Sequence, residues 1–296
     1  MVQTRLVEMR PIHKGWSKDK KYYALDERGQ AYLLRVSDLD MLEARQANIA
    51  FLQEAQKMNL PLPIPVELDC NGQEVHLLLQ WIDGEDLSSS LARLTPDEIY
   101  RHGLEMGRTL QHLHHLAIDQ TRLDWSSFYQ KKIDAKLKAY KACPELYEDG
   151  QVLVDFVEQH RHLLEGRPIA HQHGDFHIGN MLLGKDNRVY LIDVDRQDVG
   201  DPWEEFNRIF FTVEVSPLLA SAMLDGYFEG NIPSDFWQLL ALYVATNCLG
   251  SLPWAYQVDP LQVPVMREQA KAILSCYRRM QVTVPSWYQG FSENDK

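Results

Sequence analysis

The segment His171-Gln172-His173-Gly174-Asp175-Phe176-His177-Ile178-Gly179-Asn180 places a carboxylate and, five residues later, an amide. Asp193 adds a second carboxylate at the end of the apolar run Tyr190-Leu191-Ile192. Phosphoryl transfer from a nucleotide requires such a set: one carboxylate orients and deprotonates an attacking hydroxyl, while an amide oxygen and another carboxylate hold Mg²⁺ on the phosphates. Two hard oxygen donors suit Mg²⁺, which keeps several waters and takes further ligands from the phosphates. The same stretch offers a competing chemistry, because His171, His173 and His177 with Asp175 are the donor types of a zinc-dependent hydrolase. Zinc ligation by alternate residues needs a strand, whereas Gly174 and Gly179 argue for a loop, and it leaves Asn180 without a role.

The elements around these residues read as strand, loop and hairpin. Pro168–His171 enters the loop as a short strand and Asn180–Leu183 leaves it; Gly184-Lys185-Asp186-Asn187 has turn composition, and Val189–Ile192 returns as an apolar, β-branched strand. Such a hairpin brings its open ends together, so Asn180 and Asp193 can share one cation, with Asp175 on the adjoining loop. His173 reads as a structural imidazole beneath that loop.

On these residues the chain resembles the aminoglycoside phosphotransferase and choline kinase-like family, of protein-kinase-like fold. The resemblance rests on His173-Gly174-Asp175 to Asn180, then Ile192-Asp193, then Gly200-Asp201-Pro202, matching in order and spacing together. It implies an α+β bilobal fold: a small N-terminal antiparallel sheet lobe over residues 1–82, which binds nucleotide, and a larger, mainly helical catalytic and acceptor-binding lobe over 83–296. It implies Asp175 as catalytic base, Asn180 and Asp193 as Mg²⁺ ligands, and ATP or GTP as phosphoryl donor. Asp201 is expected to be structural, since Asp201-Pro202-Trp203-Glu204 also reads as a helix N-cap with Pro at the first position and a capping Glu at the third.

The N-terminal half agrees in outline. Val7–Pro11, Tyr22–Leu25 and Ala31–Val36 read as strands, Asp40–Met58 as a helix, and Glu74–Ile82 as an apolar strand. Lys14–Lys21 lies where kinases carry their phosphate-covering loop, which makes Lys18 and Lys20 candidate phosphate contacts, although a single glycine (Gly15) is a weak form of it. Gln80-Trp81-Ile82-Asp83-Gly84 resembles the family's hinge, where backbone groups of Gln80 and Ile82 would bond the base. Arg35 occupies the third-strand position usually held by lysine. Arginine grips phosphate bidentately and stays charged. Glu43, Gln46, Asn48 and Glu54 are its candidate partners on the following helix, and the substitution leaves a catalytically silent nucleotide-binding relative as an alternative.

In the second half, Thr95-Pro96-Asp97-Glu98 is a capping box opening a helix. Ser126–Ala142, Val152–Leu164, Trp203–Val213, Pro217–Phe228, Ser234–Leu249 and Val263–Met280 read as further helices. The hydrophobic fraction of 45% and charged fraction of 24% are those of a globular protein. Phe236–Tyr256 is broken by Gln238, Asn247, Gly250 and Pro253, which fits a buried helix better than a membrane span. Four scattered cysteines and a polar N-terminus imply reduced thiols and a cytoplasmic protein.

The net charge of −12 argues against a nucleic-acid partner, and it lies mostly beyond residue 82. Between Asp201 and Glu268 there are 2 basic against 9 acidic residues. An acidic face there would concentrate a cationic, hydroxyl-bearing small molecule such as an aminoglycoside, the acceptor expected from charge and resemblance together.

Overall fold

In the computed structural model the described residues are 4–13, 18–118, 123–194 and 198–290. Strands β1 (Leu6–Ile12), β2 (Lys20–Asp26) and β3 (Ala31–Asp38) precede helix α1 (Leu42–Lys57), and β4 (Pro65–Cys70), β5 (Glu74–Gln80) and β6 (Gly84–Asp86) follow. After α2 (Leu87–Ser90) come α3 (Pro96–His114), α4 (Trp125–Lys141) and α5 (Gly150–His160). Strands β7 (Ala170–His171), β8 (Met181–Gly184), β9 (Val189–Leu191) and β10 (Val199–Gly200) lead into α6 (Ile209–Val213), α7 (Pro217–Tyr227), α8 (Ser234–Val258) and α9 (Val263–Cys276).

Two compact units result. The described residues up to Ala92, together with Asn180–Val194, form the first; Arg93–Gly179 and the described residues from Asp198 form the second. A single cut after residue 82 therefore differs from the observed division. The β8–β9 hairpin joins the sheet unit because β6 pairs with β8 and the Leu191 N–H donates to Pro61 O at 2.9 Å.

The first unit is an antiparallel five-stranded sheet in the order β1-β2-β3-β5-β4. Ala24, Leu34, Val36 and Leu78 form its apolar core, with Leu6, Tyr22 and Tyr32 packed against them. β4 is an edge strand that sequence patterning did not suggest: Pro65 opens it, where no ladder donor is needed, and it lacks clean apolar alternation. On α1 the buried stripe is Arg45, Asn48, Phe51, Leu52 and Ala55, so its first half buries polar rather than apolar side chains.

The second unit is helical. α3 opens with the expected capping box, Thr95 and Glu98 bonding reciprocally. Its Gly103 and Gly107 lie against α7: a Cβ on Gly107 would stand 2.1 Å from the Met223 carbonyl oxygen, and one on Gly226 of α7 would stand 2.2 Å from that of Leu104. Glycine is required here by close approach of two backbones. α8 runs nine residues past the expected end at Leu249, through Pro253 to Val258. Burial on most of its faces offsets the hydrogen bond that Pro253 cannot donate. α9 stops earlier than expected, at Cys276, because Arg278, Arg279 and Met280 all take positive φ. Among the described residues no helix is long and apolar enough to cross a membrane, and all four cysteines are free.

Candidate functional site

In the first unit the hairpin presents its polar residues as a pair. Gly184 N–H donates to Arg188 O and Asn187 N–H to Gly184 O, both at 2.9 Å, with Asn187 at φ 62°, closing the turn. Met181 pairs with Leu191 at the open end, and one residue further the Ile192 N–H donates to the Asn180 carbonyl at 2.9 Å. Asn180 and Asp193 therefore leave the same end of the hairpin, fixed by one ladder. Asn180 is buried. Asp193 adopts φ 60°, a region an Asp tolerates better than most residues but that still costs energy, and such strain gathers at functional sites.

Cations surround Asp193. Lys21 Nζ lies 3.3 Å and Arg35 Nη1 3.8 Å from its Oδ1. Lys21 and Arg35 face one another across β2 and β3, so both side chains leave the same face of the sheet. The sequence had pointed to Lys18 and Lys20. Lys18 is exposed, and Lys20, on the opposite face from Lys21, pairs with Glu74 at 3.0 Å. Adjacent strand residues point to opposite sides, so a one-residue difference decides which lysine reaches the carboxylate. Lys14–Ser17 of the expected phosphate loop lie outside the described residues.

Arg35 is buried and does not meet a glutamate of α1. Its Nε and Nη2 donate to Asp19 Oδ2 at 3.1 and 2.8 Å, and Arg45 of α1 reaches the same oxygen at 2.5 Å while donating to Ser37 Oγ at 3.0 Å. The usual strand-base, helix-acid polarity is thus inverted: both arginines are basic, and the acid comes from the segment before β2. Among the proposed helix partners, Glu43 and Gln46 are exposed, Glu54 pairs with Lys57, and Asn48 donates to the Val194 carbonyl.

A cavity of about 270 Å³ in this unit is lined by Leu62, Ile64, Gln80, Trp81, Ile82 and Tyr190, among others. The Gln80 N–H is taken by Ile64 O at 2.8 Å and that of Trp81 by Ala31 O at 3.2 Å. Ile82 N–H has no backbone partner among the described residues, which leaves it able to bond a planar base.

In the second unit Asp175 sits on a loop that a buried carboxylate holds from below. Glu205 accepts from the backbone N–H groups of His173 and Gly174, each at 2.8 Å. Burial alone would raise the Glu205 pKa, but His114, His173 and the Gly174 amide together hold it below the usual carboxylate range. His114 Nδ1 lies 2.8 Å from the Tyr227 hydroxyl and its Nε2 4.0 Å from Glu205, which places this histidine's buried ring beside the carboxylate that holds the loop. Gly174 takes φ +81°, and His173 Nδ1 accepts the Asp175 N–H at 3.2 Å. Asp175 itself is paired with Arg208 and, at 3.2 Å, with His177 Nε2. Arg208 was not singled out from sequence. It ends the segment Pro202–Arg208, a 3₁₀ rather than an α-helix, whose residues were read only for their cap.

Asp201 is structural as expected. Fully buried, it accepts from Arg167 at 2.6 and 3.1 Å, from the Tyr243 hydroxyl at 2.6 Å and from the Trp203 N–H at 2.9 Å. Glu204 does not close a capping box; its carboxylate takes Lys132 at 2.9 Å. The three histidines of the zinc alternative diverge: His171 Nε2 faces Ala117 O at 3.0 Å, His173 lies under the loop, and His177 packs on Phe211. Among the described residues no three His, Cys, Asp or Glu side chains are placed to hold one metal.

The chain belongs to the phosphotransferase enzyme family designated APH. The family model matches residues 8–238. No curated protein matches the chain significantly by sequence. Similar solved structures include an amicoumacin kinase, hAmiN, in complex with AMP-PNP, Ca²⁺ and Ami (TM-score 0.62, 16% identity, 93% of this chain and 90% of that one). A choline/ethanolamine kinase family protein from Mesorhizobium loti has TM-score 0.64 at 17% identity, over 96% and 93% of the two chains. A thermostable mutant of aminoglycoside phosphotransferase APH(4)-Ia has TM-score 0.64 at 16% identity, over 91% and 94%. At such identities the likeness shows the fold, which is the kinase-like architecture expected, and the family membership makes this APH-family chain a phosphotransferase.

Proposed function

We propose that this protein transfers the γ-phosphoryl group of a Mg²⁺-bound ATP or GTP to a hydroxyl of a small molecule. The observation that carries the reading is the pairing of Asn180 and Asp193 at one hairpin end, with Lys21 and Arg35 beside Asp193. An amide oxygen and a carboxylate form a hard donor pair that suits Mg²⁺ with water and phosphate completing its shell. When bound, the ion would neutralise phosphate charge and align the donor; the remaining work belongs to the chain.

Lys21 and Arg35 add positive charge where the transferred group develops negative charge, and they stand preorganised by β2 and β3. The Ile82 N–H would bond the base within the Trp81–Tyr190 cavity. Asp175 would orient the acceptor hydroxyl and take its proton, with Arg208 and His177 keeping the carboxylate aimed. Asp175→Ala is expected to abolish transfer while leaving nucleotide affinity within a few fold; unchanged turnover would remove Asp175 from its role.

One observation favours a silent nucleotide-binding protein as second reading: Arg35 is tied to Asp19, not free to swing onto phosphate. The two readings separate on whether ADP or GDP accumulates with hydroxyl acceptors present.

A further inference from the structure

The two cations beside Asp193 are held in different ways. Lys21 and Arg35 face one another across β2 and β3, so their side chains run side by side on one face of the sheet. Arg35 is anchored away from Asp193: its Nε and Nη2 both donate to Asp19 Oδ2, at 3.1 and 2.8 Å, and its Nη1 stands 3.8 Å from Asp193 Oδ1. Arg45 reaches the same Asp19 oxygen at 2.5 Å from α1. Both arginine side chains are 3% exposed. Turning Arg35 toward a ligand would break a buried ion pair and leave Asp19 short of a partner, which is costly.

Lys21 has no such anchor. Its ammonium meets Asp193 Oδ1 at 3.3 Å and no other partner among the described residues. Two of its three N–H donors are therefore unused, although the side chain is 11% exposed. Its one anion is also the carboxylate of the set most open to solvent, Asp193 at 40%. A cation bound by Asn180 and Asp193 would compete with Lys21 for that carboxylate. Arg35 keeps Asp19 in either case, whereas Lys21 is left largely buried and short of negative charge. A phosphate oxygen on the same cation restores the balance.

We propose that Lys21, and not Arg35, is the side chain that touches the nucleotide's phosphates. Arg35 ties the sheet to α1 through Asp19 and Arg45, and acts on the phosphates only through its field. A lysine ammonium is a compact charge on a flexible stem and can follow a moving phosphoryl group. An arginine tied to Asp19 is then no obstacle to transfer, because the contact belongs to its neighbour on β2. The proposal rests on the nucleotide-binding part of the function proposed above.

Acyl-phosphate derivatives of ATP and GTP, with a short acyl chain on the terminal phosphate, test this in the wild-type protein. A lysine amine at the phosphates attacks the acyl carbon; the amide bond forms, the bond to phosphate oxygen breaks, and the nucleotide leaves with that electron pair while the amine loses a proton to water. Peptide mapping by mass spectrometry should find the acyl group on Lys21, reduced at least tenfold by excess Mg-ATP or Mg-GTP. Lys18 and Lys20, both exposed, serve as internal controls whose labelling the nucleotides should leave unchanged. The second readout is the ratio of the Kd for the nucleoside to the Kd for its Mg-triphosphate. Lys21→Met should lower that ratio at least tenfold, and Arg35→Lys should keep it within threefold while lowering the melting temperature. Nucleotide protection at Lys18 or Lys20 instead of Lys21, or a ratio that falls as far in Arg35→Lys as in Lys21→Met, overturns the proposal. Phosphoryl transfer without protected labelling of Lys21 also overturns it, and leaves the phosphotransferase reading intact. Protected labelling of Lys21 without transfer to any hydroxyl acceptor supports the contact and counts against that reading.

Discussion

Asp19 is the residue whose loss should be felt most in the sheet unit. Its side chain is 7% exposed and those of Arg35 and Arg45 are 3% exposed, and one oxygen accepts from both guanidinium groups. Asp19→Asn keeps the shape and removes the charge. At an effective dielectric near 20, each ion pair at about 4 Å is worth roughly 4 kcal/mol gross, and desolvation of the arginines has already been incurred in the fold. Leaving buried charge unmatched typically costs about 3–5 kcal/mol. A total stability of about 5–15 kcal/mol makes that a large share. Urea unfolding should show a midpoint lower by about 1–3 M. Hydrogen exchange should place the loss in β1–β3 and α1. Adding Arg45→Met to Asp19→Asn should recover at least about 1 kcal/mol, because one of two facing cations disappears. A loss below about 1 kcal/mol with no recovery in the double variant would refute the claim that Asp19 holds the pair together.

Gly107→Ala sets helix propensity against packing: alanine gains about 1 kcal/mol in a helix interior, but its Cβ would meet the α7 backbone at 2.1 and 2.5 Å. Backbone cannot swing aside, so net destabilisation by about 2 kcal/mol or more is expected in thermal melts. Glu205→Gln should destabilise by about 1–3 kcal/mol and slow turnover, since two loop amides lose a charged acceptor. The Glu205 pKa is depressed below 4.5 in the fold, so its contribution is complete above that value and fades as pH falls through the folded pKa. Acid titration of stability should therefore be shallower in Glu205→Gln than in the wild type.

Local sequence carried much of this. The hairpin was legible because its turn residues and apolar flanks act within a dozen positions, and the α3 capping box because it spans four. Asp201 as a cap followed from Pro202. The partners were not legible. Asp19, Arg35 and Arg45 meet only after β2, β3 and α1 assemble, and no spacing announces a contact 26 residues apart. Lys21 displaced Lys20 because strand register, not composition, selects the face. Net charge was too coarse to place an acceptor surface: of the nine acids between Asp201 and Glu268, Asp201, Glu204, Glu205 and Asp225 are buried on internal partners, whereas Glu214, Glu229, Asp235 and Glu268 are exposed. The long α8 ran through Pro253 because burial on most sides outweighs a rule that governs exposed helices.

Affinity for ATP and GTP measured with Mg²⁺ and with chelator, in the wild type and in Asp193→Ala, tests the proposed hairpin site most directly. The account predicts that the wild type binds at least tenfold more tightly with Mg²⁺, and that Asp193→Ala abolishes that difference. Equal affinity with and without Mg²⁺, or a Mg²⁺ effect that survives in Asp193→Ala, would contradict it.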